Sequence, residues 1–281
     1  MIPLVGICFG TYQRLAWLQA CLDSLRWAVG QLPYRIYIAD GGSTDGTLPY
    51  LREQADVHLI EQGELLGAVA GFDAAYEAAI DDGSEYPTTF NDDLTADRGG
   101  PPIIAAAVRR LEADETLGGV AFASDRYRTP QAILDDPFAA AFLTPGPRVD
   151  FDCGRHHGRA YMNQGVARRA AHLAVARAQG DPTGRDYWDR RYHTYGADSA
   201  AGCWMWRLGW RIAEAMDLRV HEHVVDDEDL YPGESGDNDP LRQRNMAQFG
   251  ATAATFAAQW GDPSSVEYHR EDAIRFGGRL L

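Results

Sequence analysis

The spacing of apolar residues changes repeatedly along the chain. Residues 2–9 form a mostly apolar run closed by Gly10, the pattern of a buried parallel-type strand. Over residues 15–29 the spacing becomes helical, with Leu15, Leu18, Cys21, Leu22 and Leu25 recurring on one side. The alternation continues with a strand at 34–39, a helix at 47–54, a strand at 57–61 and an Ala-rich helix at 67–80. A short strand at 87–90, a helix at 103–113 and a strand at 119–124 complete the first half. Strands and helices alternating over short connections predict an α/β fold, a mostly parallel sheet with helices on both faces.

Beyond residue 125 the rhythm loosens. Residues 163–179 read as a helix, 181–195 as a charged and aromatic loop or flap, 198–208 as a helix and 219–225 as a strand. Residues 241–260 read as an amphipathic helix. With no repeat and no low-complexity linker, the expectation is one domain over residues 1–240. It has a nucleotide half (1–124) and an acceptor half (125–240), followed by a helical tail at 241–281.

Charge and cysteine content narrow the classes of function. With 26 basic and 41 acidic residues, a net charge of −15, the chain is a poor non-specific partner for nucleic acid. It has no polybasic stretch for anionic lipid and no apolar run long enough to span a bilayer, so membrane contact is expected to be peripheral at most. Four cysteines without zinc-site spacing fit a reduced, cytoplasmic setting.

Three polar clusters fall at predicted strand ends, where open α/β sheets bind ligands. The first is Gly10-Thr11-Tyr12, the second Asp40-Gly41-Gly42-Ser43 and the third Asn91-Asp92-Asp93. An acidic residue at a strand end can accept hydrogen bonds from a base N–H or a ribose hydroxyl, and glycines allow close backbone approach. The competing reading of the second cluster is a tight turn in which Ser43 or Thr44 caps the next helix.

These blocks resemble glycosyltransferase family 2, the inverting nucleotide-sugar enzymes of the GT-A fold. Gly10-Thr11-Tyr12-Gln13-Arg14 and the Leu-rich helix after it match the family's opening block. Asp40, Ser43, Asp45, Gly46 and Thr47 match its Asp-x-x-Ser-x-Asp-Gly-Thr block. The Gly-rich segment from Gly67 to Asp73 matches a third block, with Asp73 where the family has Asn. The resemblance implies a Rossmann-like GT-A domain with acceptor-side insertions. Its activity would be that of a hexosyltransferase-type glycosyltransferase, moving a sugar from a nucleotide diphosphate sugar to a carbohydrate or other hydroxyl acceptor, with UDP favoured.

It further implies a nucleotide-sugar pocket of Thr11, Tyr12, Arg14, Asp40, Gly41, Gly42, Ser43, Gly67, Asp73, Asn91 and Asp92. Asp93 would be the direct ligand of Mn²⁺ or Mg²⁺, hard ions suited to oxygen donors. Such an ion stabilises the charge of a departing diphosphate. His223 or His221 would complete the metal shell. The family's spacing from Gly209 falls between the two, and His223 is preferred because Asp226 and Asp227 follow it. Asp198 matches the family's Glu-Asp pair, with Ala197 where the Glu stands, and is the implied general base. The simpler reading of Asp198 is a helix N-cap. Trp188 is a candidate sugar platform. Rival readings are a non-catalytic nucleotide-sugar-binding module, and a retaining glycosyltransferase or nucleotidyltransferase on a related sheet.

Overall fold

β1 (Val5–Thr11) is almost wholly buried, and its two faces explain the layers around it. Val5, Ile7 and Phe9 point into a core built with Leu18, Leu22 and Leu25 of α1 (Leu15–Ala28). Ile104, Val108 and Leu111 of the 103–113 helix join the same core. Gly6, Cys8 and Gly10 point the other way. There the small residues let a helix approach closely, since a Cβ on Gly71 would lie 3.4 Å from the Gly10 Cα. The computed structural model describes residues 5–125, 151–152, 155–156, 159–183, 185–193, 196–222, 255–256 and 258–260.

The elements that follow are β2 (Tyr34–Asp40), α2 (Thr47–Arg52), β3 (Val57–Glu61), α3 (Ala68–Asp81) and β4 (Tyr86–Thr89). Next come β5 (Leu94–Ala96), α4 (Ile103–Ala113) and β6 (Leu117–Asp125). Short strands β7 (Phe151–Asp152), β8 (Arg155–His156), β9 (Arg159–Ala160) and β10 (Gly165–Ala167) precede α5 (Arg169–Ala178), α6 (Ala197–Arg207) and β11 (Arg211–Glu222). Among the described residues one nine-stranded sheet runs β3-β2-β1-β4-β10-β6-β11-β5, with β7 beside β6. β1, β2, β3 and β4 are parallel to their neighbours among themselves, and β11 is parallel to β6. α1 and α4 cover one face, and α3, α5 and α6 cover the other.

Two second-half expectations change. Residues 165–167, read as the start of a helix, form β10, an antiparallel strand between β4 and β6. A Cβ on Gly165 would lie 2.3 Å from the Val120 carbonyl oxygen, so the close sheet contact selects glycine. The helix begins only at Arg169. The last strand is also longer than the 219–225 reading, starting at Arg211. A register shift between Ala215 and Arg219 breaks its alternation, which hides its first half from a period-two search. The 181–195 stretch carries no helix or strand among its described residues. Of the 241–260 reading, the described residues 255–256 and 258–260 are helical, and the rest lies outside the described residues. No described helix is long and apolar enough to cross a membrane.

His172 on α5 is fully buried, stacked on Tyr76 at 5.0 Å and on Tyr187 at 4.3 Å between ring centroids. Neither ring nitrogen has a hydrogen-bond partner among the described residues. Burial holds its pKa down at about 3, against an ordinary 6.5. The unfolded chain therefore takes up a proton below about pH 6.5 that the folded chain refuses until about pH 3. Stability associated with this residue is complete above pH 6.5 and is lost as pH falls through that window. His172→Phe keeps the stack and removes both unpartnered nitrogens and the titration. The variant should melt no lower than wild type at pH 7.5 and lose less melting temperature between pH 6.5 and 4.5. An unchanged acid slope would assign that slope to other groups.

Candidate functional site

Parallel pairing brings the first two polar clusters together, because Thr11 and Asp40 are register partners at the carboxyl ends of β1 and β2. Asp40 is fully buried. Its Oδ1 accepts the Gly42 and Ser43 backbone N–H groups at 2.9 and 2.8 Å. Its Oδ2 is buried with no partner among the described residues. A buried carboxylate oxygen without a donor is costly unless something supplies one. The chain turns sharply here: Gly42 has φ +89°, and a Cβ on it would meet the Gly63 carbonyl oxygen at 2.7 Å. Gly41 lies as close to Leu65, whose Cδ1 would be 2.9 Å from an added Cβ, and Tyr12 is buried beside it. Ser43 is an acceptor for the Gln13 N–H at 3.0 Å and does not cap α2, whose N-cap is Gly46.

Gln13 was not singled out from the sequence, yet it laces the two loops together. It is the only described non-glycine residue with positive φ, at 55°. Its Oε1 accepts the Thr44 and Asp45 N–H groups, and its Nε2 donates to Thr44 Oγ1 at 3.0 Å. The signal that marks it, a positive φ, exists only in three dimensions.

The third cluster follows β4, which lies against β1 on the side opposite β2. Thr11 donates to Asp92 Oδ2 at 2.8 Å. Arg14 Nη1 reaches Asp92 Oδ1 at 3.1 Å and Asp93 Oδ2 at 2.6 Å, and its guanidinium lies over Trp17, 4.6 Å from the ring centroid. The Asn91 carbonyl faces Cys21 of α1. Asp92 is the more enclosed carboxylate, with a side chain 7% exposed against 22% for Asp93. The sequence blocks therefore converge, although Arg14 turns toward the carboxylates.

A divalent ion needs several donors, and no group of three or more potential metal-ligating side chains occurs among the described residues. The donor chemistry at Asp93, a partly exposed carboxylate beside another, fits a hard cation. His221 sits on β11 opposite Thr95, with Nε2 3.8 Å from Asp97 Oδ1. The β11–β5 ladder ends with Glu222 opposite Leu94, the residue after Asp93. His223 follows Glu222 in the chain and lies outside the described residues, as do Asp226 and Asp227.

The 185–193 segment packs along α3. Gly67 is the N-cap of α3 with φ +99°, and a Cβ there would lie 2.6 Å from the His193 ring. The His193 carbonyl accepts the Val69 N–H at 3.2 Å. Asp73, buried on α3, accepts the Trp188 N–H and the Arg190 Nε–H, each at 3.0 Å. Burial pushes its carboxyl up to about 7, opposed by those two donors. The contacts of Asp73 thus tie the 185–193 segment to α3. Trp188 presents no open ring face to a sugar. It is buried, edge-on to Tyr76 and Tyr187, and tilted against Phe72. Tyr192 donates to Gln259 at 3.0 Å, so residues from the C-terminal stretch brace the same segment.

Asp198 lies in the first turn of α6, whose N-cap is Gly196 at φ +87°. The capping position therefore belongs to the glycine. Asp198 is half-buried and receives a long 3.4 Å hydrogen bond from Ser199 Oγ. Its charge, after burial, helps raise the pKa of Tyr187, which places it beside the aromatic segment.

Known proteins share this fold. The profile of glycosyl transferase family 2 matches residues 7–158. Among solved structures, the mannosyltransferase PcManGT of Pyrobaculum calidifontis, in complex with GDP-Man and Mn²⁺, is 21% identical with a TM-score of 0.55. That alignment covers 96% of this chain and 69% of PcManGT. TarS 1–349 of S. aureus, in complex with UDP, is 14% identical with a TM-score of 0.48, covering 90% of this chain and 72% of that one. No curated protein sequence matches the chain.

Proposed function

The chain belongs to glycosyl transferase family 2 and is a glycosyltransferase, and from that premise we propose a metal-dependent, inverting transfer of a sugar from a nucleotide diphosphate sugar to an acceptor hydroxyl. UDP is the favoured nucleotide, and the domain extends over residues 1–240. The observation that carries the donor assignment is Asp40 Oδ2, a buried acceptor without a donor at the carboxyl end of a central strand. A pyrimidine or purine base edge with an N–H meets that need. Thr11 is the register partner of Asp40 and donates to Asp92 on the β4 side, Tyr12 lies against Gly41, and these residues with Gly42, Ser43 and Asn91 would line the pocket.

Asp93, the more exposed carboxylate, would hold Mn²⁺ or Mg²⁺. His223 is preferred to His221 as a second ligand because Asp226 and Asp227 follow it in the sequence. The ion, when bound, supplies positive charge for the diphosphate as the glycosidic bond breaks. The acceptor oxygen attacks the anomeric carbon, the bond to the diphosphate oxygen breaks, and Asp198 takes the hydroxyl proton. Gly67 and Asp73 support this arrangement by seating the 185–193 segment on α3.

Asp40→Asn tests the nucleotide reading. Asn retains one oxygen for the Gly42 and Ser43 N–H groups but can present an amide donor where Oδ2 accepts. UDP affinity, by calorimetry, should fall by about 1–3 kcal/mol, the usual scale for a lost charged hydrogen bond. Unchanged affinity would remove Asp40 from the pocket.

A further inference from the structure

The 185–193 segment runs along α3 in the opposite direction and is fastened to it from end to end. The His193 carbonyl accepts the Val69 N–H at the start of the helix. In the middle, Asp73 accepts the Trp188 N–H through Oδ1 and the Arg190 Nε–H through Oδ2, each at 3.0 Å. Toward the end, Arg185 pairs with Glu77 at 3.3 Å and with Asp81 at 2.9 Å. Asp73, Glu77 and Asp81 follow one another at the four-residue spacing of a helix face. The middle contact differs from the last. The side chains of Glu77, Asp81 and Arg190 are exposed, whereas that of Asp73 is only 2% exposed. A carboxylate buried under an exposed partner is costly to keep ionised. Burial pushes the Asp73 carboxyl up to about 7 from an ordinary 3.8, opposed by the Trp188 and Arg190 donors and assisted by the charge of Asp186. Stability from this group is therefore complete below pH 3.8 and is lost as pH rises through about 7. At pH 8 the ionised side chain is a burden on the fold that a neutral one of the same shape would not impose.

We propose that ionised Asp73 is a positioning residue for the transfer reaction: its pair with Arg190 fixes the 185–193 segment, and through it the first turn of α6 that carries Asp198. This rests on the reading above that Asp198 takes the acceptor proton. The route between the two residues is short. Tyr187, the neighbour of Trp188, is buried in a stack with His172 and Tyr76 and feels the charge of Asp198. α6 begins at Ala197, just after the segment. A neutral side chain at position 73 can still accept the Trp188 N–H through one oxygen, but it has no charge with which to hold Arg190. Asp186, which accepts from Arg190 Nη2 at 2.8 Å, and Glu77 then compete for the guanidinium unopposed. The sequence alone assigns Asp73 to the nucleotide; both of its oxygens are engaged by the 185–193 segment.

The test compares Asp73→Asn, Arg190→Gln and the double variant with wild type at pH 8, in the full chain. Hydrogen exchange by mass spectrometry reads residues 185–193 and 197–207, and calorimetry reads UDP affinity. Release of UDP from UDP-glucose, UDP-galactose and UDP-N-acetylglucosamine reads turnover. Asp73→Asn should melt no lower than wild type, yet exchange faster in both stretches. Its kcat should fall roughly 10-fold or more, the scale on which small misplacements of reacting groups act, with UDP affinity unchanged. Arg190→Gln alters an exposed side chain and should reproduce the loss, and the double variant should be no worse than either single one, because all remove the same pair. A merely structural Asp73 would instead lose melting temperature together with activity, which overturns the inference. If Asp73→Asn does not fold, Arg190→Gln decides the comparison against wild type. Unchanged exchange in the folded single variants also overturns it, as does an additive loss in the double variant, or a fall in UDP affinity that returns Asp73 to the nucleotide pocket. Wild type that turns over none of these donors sinks the donor reading, and exchange then decides the Asp73–Arg190 pair by itself. Full kcat in Asp198→Asn sinks the base reading and leaves faster exchange of residues 185–193 standing.

Discussion

Asp198→Asn should lower kcat by roughly 10²–10⁴-fold, the usual worth of general-base catalysis, with UDP affinity unchanged. The asparagine has nearly the same size and cannot take the acceptor proton. Position supports this outcome: Asp198 is in the first turn of α6, half-buried, close enough to the 185–193 segment for its charge to act on Tyr187. The helix should survive, since its N-cap is Gly196 and its buried face is Ala197, Ala200, Ala201 and Met205. Losing a carboxylate from a first turn costs about 0.3–1 kcal/mol through the helix dipole, far too little to account for such a rate loss. The check is steady-state kinetics on the acceptor together with calorimetry of UDP. Near-normal kcat in a folded variant would end the assignment and direct attention to Asp226, Asp227 or Glu228.

Asp93→Ala should remove Mn²⁺-dependent UDP binding and reduce turnover by roughly 10²–10³-fold or more, because charge stabilisation by a metal is worth several kcal/mol at about 1.4 kcal/mol per factor of ten. The fold should persist. The Asp93 side chain is 22% exposed, so its loss opens no sealed cavity, and Arg14 keeps Asp92 and Trp17 as partners. Asp92→Ala is a less clean experiment, since it strips partners from both Thr11 and Arg14. Wild-type activity that persists in EDTA, or an Asp93→Ala variant as active as wild type, would exclude the metal role.

Elements with a sustained apolar period were readable from the amino-acid sequence, because burial on one face imposes that period directly. α1 and α4 present long apolar faces to the same core, and β2 and β3 lie within a residue of their expected bounds. The three polar clusters were readable for a related reason. Glycines and acidic residues immediately after apolar strands stand out, and in a parallel sheet all such strand ends lie on one edge. The short strand β10 was hidden because three residues carry no period, and its place between β4 and β6 is chosen by distant neighbours.

Contacts across long sequence separations belong to the folded chain alone. Thr11 meets Asp92 across 81 positions, and Asp73 meets the Trp188 N–H across 115. Nothing local in Gly67-Ala68-Val69-Ala70-Gly71-Phe72-Asp73 distinguishes a carboxylate facing a nucleoside from one that anchors another segment. The same holds for Arg14, whose family block points to the nucleotide and whose packing points to Asp92 and Asp93. Residue types near the site follow from local chemistry, since each strand end must offer particular polar groups and tight turns. Which of those groups neutralise one another follows from packing, because a buried charge takes whichever partner the assembled elements bring within hydrogen-bonding distance.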